Sequence, residues 1–115
     1  METDLTRRHC VPCEGGVPPL SVAQVEKLLP RVPGWTVNDS GTQIFKVWEC
    51  KNFRDAMALV NKVADLAERE GHHPDIQLFS YRRVRLDVTT HAIGGLSDND
   101  FILAAKINML RPSPA

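Results

Sequence analysis

The chain has 115 residues, 43% of them hydrophobic, and its 14 Lys and Arg balance its 14 Asp and Glu. That is the size of one domain with one core, and a net charge of zero leaves no field to draw the molecule to nucleic acid, a membrane surface or another polyanion. No apolar run approaches the roughly 20 residues of a membrane span, and Met1 to Cys13 lacks the apolar centre of a signal peptide, so a cytoplasmic protein is expected.

Residues 1–19 read as an irregular N-terminal arm, polar at first and then rich in Gly and Pro, and residues 20–111 as a single domain. Cys10-Val11-Pro12-Cys13 has the spacing of zinc knuckles and redox motifs, but no second pair completes four sulfur ligands, and no strand-to-helix junction surrounds it to activate a thiol. With Cys50 the count is odd, which argues against a disulfide framework. Ser21-Val22-Ala23-Gln24 is a capping-box sequence flanked by the staple pair Leu20 and Val25, so a first helix is expected to start after Ser21 and to end at Pro30. Its apolar stripe is Val22, Val25, Leu28 and Leu29.

Trp35 to Asn38 and Thr42 to Glu49 read as two strands of a hairpin turning at Asp39-Ser40-Gly41. Trp35 is either a core aromatic or a wall for a flat ligand. A long second helix is expected from Phe53 to Glu70, capped by Asn52, with Phe53, Met57, Val60, Ala64 and Ala67 as its apolar stripe. Gly71 stands where a left-handed residue closes a helix. Pro74 biases His73 towards extended backbone, so His72 and His73 sit on a short bridge, pointing opposite ways.

Asp75 to Tyr81 and Arg83 to His91 make a second hairpin, and in the latter Val84, Leu86, Val88 and Thr90 alternate with polar residues, the pattern of a strand covered on one face. Ser97 is expected to cap a third helix, with Asp100 at its third position. Phe101 to Leu110 is apolar on almost every side, which predicts burial beyond one sheet and hence a homodimer or homotetramer through helix 97–110. The expected fold is α+β: a four-stranded antiparallel sheet with three helices packed on one face, in the order helix-strand-strand-helix-strand-strand-helix.

Chemistry concentrates between Glu68 and Asp100, which holds three of the four histidines, and imidazole both gives and takes protons near its unperturbed pKa of roughly 6.5. Taken singly, His72, His73 and His91 are ordinary loop and strand-end residues and Asp100 an ordinary first-turn carboxylate. A metal site built from the three histidines with Asp100 or Glu68 is the sharper rival, although adjacent extended histidines do not readily converge on one ion. Arg82, Arg83 and Arg85 lack the stacking aromatics of a nucleic-acid surface.

Glu68, His72-His73-Pro74, Tyr81, His91 and Asp100, at these spacings, closely resemble the signature of the pterin-4a-carbinolamine dehydratases. The resemblance extends through Gly34-Trp35, Phe45 to Phe53 and Gly95-Leu96-Ser97. It implies the same sheet-and-three-helix fold, a dimer or tetramer, no metal and no cofactor. It also implies a lyase that takes water from 4a-hydroxytetrahydrobiopterin and so recycles the pterin. By position, His72, His73 and His91 are the acid/base histidines, with Asp100 and Glu68 beside them, and Pro74, Thr90, His91, Ala92 and Ile93 fall where the family contacts the pterin. The alternative it carries is a non-catalytic paralogue, a dimerisation or assembly partner of another protein.

Overall fold

The computed structural model describes residues 4–10 and 18–110. Helix α1, Val22–Leu28, begins where the capping box places it: the Ser21 hydroxyl accepts the Gln24 amide at 3.2 Å and the Gln24 side chain accepts the Ser21 amide at 2.8 Å. It tightens into a 3-10 turn at Leu29–Arg31, with Pro30 inside it. Strands β1, Thr36–Val37, and β2, Ile44–Glu49, form the first hairpin, and β3, Asp75–Phe79, and β4, Arg83–Val88, the second. They lie in the order β1-β2-β4-β3, every pair antiparallel, with Lys46 opposite Leu86 and Ile76 opposite the same residue on its other side. The strands are shorter than the sequence pattern, because at both hairpins the residues nearest the turn bond within it; Asn38 Oδ1, for example, accepts the amides of Thr42 and Gln43.

Val84, Leu86 and Val88 of β4 are buried together with Ile44, so the alternation read in the sequence does select the sheet face that carries the core. Helix α2, Phe53–Glu70, starts at Asn52, whose side chain accepts the Asp55 amide. Its phase differs from the expected one. The buried residues are Ala56, Leu59, Val63, Leu66 and Ala67, whereas Phe53 and Met57 are 53% and 39% exposed. Two adjacent apolar stripes run along this helix at the same period, so periodicity fixes the element but not its rotation. Docking against the Val and Leu side chains of β4 selects the stripe with Leu59, Val63 and Leu66.

Helix α3, Asp98–Met109, is buried from Asn99 to Ala105 and at Ile107. Part of its cover comes from the same chain. A 3-10 turn at Leu5–Arg7 packs on this helix, and Leu5 belongs to the core of the domain. Residues 4–10 of the same chain thus supply part of the cover that so apolar a helix calls for. Cys13 lies outside the described residues; Cys10 and Cys50 are free thiols.

The strap is fastened by Glu70, the last residue of α2, whose buried carboxylate accepts the Cys10 amide at 2.9 Å and Lys106 Nζ at 2.7 Å. Burial pushes this carboxyl up, but the Lys106 ammonium and the Cys10 amide outweigh burial and hold it below the ordinary 4.5. A depressed folded pKa contributes stability that is complete above the unfolded value and is lost as pH falls through the folded one. Glu70→Gln is accordingly expected to be about 1–3 kcal/mol less stable at pH 7. Its deficit shrinks as pH drops below 4.5, and urea denaturation between pH 3 and pH 7 reads the convergence.

Candidate active site

The histidine pair owes its position to the way α2 ends. Gly71 adopts φ 65° and ψ 26°, a left-handed conformation that glycine enters without a Cβ penalty, and its amide and that of His72 both reach the Ala67 carbonyl. The chain reverses there, and β3 begins at Asp75, leaving His72, His73 and Pro74 as the whole connection.

His72 turns inward. Its Nε2 lies 2.6 Å from Asp100 Oδ1, with the imidazole 12% exposed and the carboxylate fully buried. The other oxygen, Oδ2, accepts the Ser97 amide at 2.9 Å and the Thr90 hydroxyl at 2.8 Å, and Thr90 Oγ1 and Ser97 Oγ are 2.7 Å apart. With Asp100 taken as an acceptor-only carboxylate, the Nε2 proton is assigned to His72, and Nδ1 is the ring nitrogen that Asp100 does not engage. Three segments meet on this one carboxylate: the bridge after α2, the exit from β4 and the first turn of α3.

His73 turns outward and pairs with Glu68 at 3.0 Å, both side chains being largely exposed. His91 opens an exposed 3-10 turn, His91–Ile93, which also carries Ala92 and Ile93. Mutual hydrogen bonds between Thr90 and Gly95 pinch the base of that turn. Gly95 lies against Pro19, where a Cβ would come within 2.7 Å, so close approach demands glycine there. The structure thus joins His72, Asp100 and Thr90 directly, holds His91 one residue from Thr90, and places His73 with Glu68 on the neighbouring surface.

Two of the expected binding residues have partners within the protein. Thr90 is buried, and its hydroxyl donates to Asp100. Trp35 is a core residue: its indole Nε1 donates to Asn108 Oδ1 at 3.0 Å and its ring meets Trp48 edge-on. Asn108 is eight residues beyond Asp100, about 12 Å along α3, so Trp35 is not part of the histidine cluster. Ser97 was legible as a helix cap but not as a support of Asp100; the capping-box pair of Ser97 and Asp100 was the available signal. Among the described residues no three His, Cys, Asp or Glu side chains are arranged to hold a metal ion.

The sequence profile of the family described as pterin 4 alpha carbinolamine dehydratase matches residues 18–110. The chain belongs to this family. A Nitrosomonas europaea protein, provisionally named a pterin-4-alpha-carbinolamine dehydratase, is 50% identical over 108 residues, 93% of each chain. The Arabidopsis thaliana pterin-4-alpha-carbinolamine dehydratase 2, mitochondrial, is 43% identical over 94% of this chain and 59% of its own. The crystal structure of a transcriptional coactivator/pterin dehydratase from Brucella melitensis superposes with a TM-score of 0.74 at 27% identity, covering 79% of this chain and 96% of that one.

Because Thr90 gives the buried carboxylate one of its three donors, Thr90→Val is expected to cost about 1–3 kcal/mol, whereas Thr90→Ser retains the hydroxyl and most of the stability. Thermal unfolding of the two variants beside the native chain separates the lost hydrogen bond from the lost methyl packing.

Proposed function

We propose that this chain is a dehydratase that removes water from a 4a-hydroxytetrahydropterin, 4a-hydroxytetrahydrobiopterin being the reference substrate, to give the quinonoid dihydropterin. The observation that carries this reading is the buried His72–Asp100 hydrogen bond, with His73 and His91 on the adjoining exposed segments. Membership of the family supplies the substrate class.

The reaction needs two proton transfers. The C4a–O bond breaks with its electrons passing to oxygen, and a proton delivered there lets the hydroxyl leave as water. The N5–H proton goes to a base, and the electrons of that bond form the C4a=N5 double bond. In this reading His72, as an imidazolium whose charge Asp100 offsets, or His73 donates the first proton and His91 accepts the second. Asp100 and Glu68 fix the orientation and tautomer of their imidazoles, as a carboxylate does for a catalytic histidine. Exposure of His73 and His91 suits groups that must meet a ligand arriving from solvent and then recharge with protons from water. No metal or cofactor takes part in the steps so assigned.

A second reading has its own observation. Phe53 and Met57 leave an exposed apolar patch on one face of α2, and the Brucella relative is titled a coactivator as well as a dehydratase. A binding paralogue acting as a dimerisation or assembly partner would use that face, beside a homodimer or homotetramer built through helix 97–110.

Stopped-flow dehydration of a synthetic 4a-carbinolamine discriminates. The native chain is expected to accelerate it, and His73→Ala and His91→Ala are each expected to lower kcat by about 10²–10⁴-fold. Wild-type rates in both variants would overturn the histidine mechanism; a native chain without any acceleration would leave the binding reading in its place.

A further inference from the structure

The N-terminal strap does more than cover α3. Its last described residues touch the two helix ends that carry the catalytic pair. Arg8 Nη2 lies 3.3 Å from Asp98 Oδ2, the Cys10 thiol donates to the Asn99 carbonyl at 3.5 Å, and the Cys10 amide donates to Glu70 Oε1 at 2.9 Å. Asp98 and Asn99 immediately precede Asp100, and Glu70 precedes His72 by two residues. Lys106, under two turns beyond Asp100 on α3, closes the figure by its 2.7 Å bond to the other oxygen of Glu70.

We infer that Arg8 to Cys10, acting through Glu70 and the first turn of α3, are positioning residues that brace the exit of α2 against the start of α3 and so hold His72 on Asp100. The inference rests on the dehydratase reading for its consequence in turnover. The physical need is clear from the geometry. His72 and Asp100 lie on different elements, 28 residues apart. A 2.6 Å hydrogen bond across such a junction survives only while the two backbones keep their separation to a few tenths of an ångström. Among the described residues, Glu70 is bonded both to the strap and to α3, and it sits at the point where α2 gives way to the histidine bridge. The thiol contributes as a donor: burial, then the neighbouring Glu70 carboxylate, pushes Cys10 up to about 12, so it keeps its proton at any physiological pH. The backbone amide, bonded to a buried carboxylate, is the stronger tie.

Cys10→Pro removes that amide donor and the thiol while leaving the Glu70–Lys106 pair in place; Cys10→Ala removes the thiol alone. In the full-length protein, two quantities are read: kcat and KM for carbinolamine dehydration, and the proton resonance of the His72 Nε2–H···Asp100 hydrogen bond by NMR without substrate. For Cys10→Pro the expected result is a kcat lowered about tenfold, a KM unchanged within twofold, and a His72 proton that moves upfield or broadens. Cys10→Ala is expected to stay within twofold of the native kcat with the resonance in place. Glu70→Gln, which keeps the side-chain shape and loses the charge, is read in the same way and replaces Cys10→Pro if that variant does not fold. A folded Cys10→Pro with native kcat and an unmoved His72 resonance overturns the bracing role. The NMR comparison holds even if the native chain turns over no carbinolamine, so failure of the brace and failure of the dehydratase reading give different results.

Discussion

A fully buried carboxylate is the constraint around which this molecule is arranged. Taking Asp100 out of water without partners would cost far more than a small domain can spare, since ionised groups in a protein interior are tolerated only when paired and hydrogen-bonded. Its three donors come from three places in the chain: His72 after α2, Thr90 at the exit of β4, and the amide of Ser97 at the start of α3. Satisfying one side chain thereby fixes the mutual positions of the elements that carry chemistry. It also fixes the orientation of His72, whose Nε2 is held at Asp100 while the other ring nitrogen is directed elsewhere.

The scaffold contributes rigidity on one side and exposure on the other. Val84, Leu86 and Val88 of β4 lock into Leu59, Val63 and Leu66 of α2 and the apolar residues of α3, so the ends of those elements cannot drift. His73 and His91 stand on short connections at the edge of that core, where solvent and a ligand can reach them. One imidazole is thus anchored and two are accessible, a division suited to proton transfer with a molecule that enters and leaves. The strap adds a second buried carboxylate, Glu70, near the same junction, and the two anionic sites together tie both ends of the helix pair.

The uncovered apolar face of α2 bears on the other part of the family's range. A helix that shows Phe53 and Met57 to solvent while burying Leu59 and Val63 has more apolar surface than its own sheet can use. The two proposed readings call on different sides of α2: catalysis would use its C-terminal exit, association its outer stripe.

Local chemistry in the sequence determined a good deal. The two capping boxes, Asn52 before α2, Gly71 after it and the alternation along β4 each act within a few residues, so they placed all three helices and both hairpins. His72, His73, His91 and Asp100 stood out because their spacing resembles a family pattern, and the histidine bridge followed from a glycine and a proline. Tertiary structure decided what local rules leave free. The rotation of α2 depended on which of two equivalent stripes the sheet accepts, and the cover of α3 on an arm whose short apolar signal, Leu5, means nothing until it finds its groove. The placing of Trp35 and Thr90 turned on partners 73 and 10 residues away. Periodicity specifies an element and its amphipathic character; only docking supplies phase, neighbours and the buried hydrogen bonds that give each polar group its task.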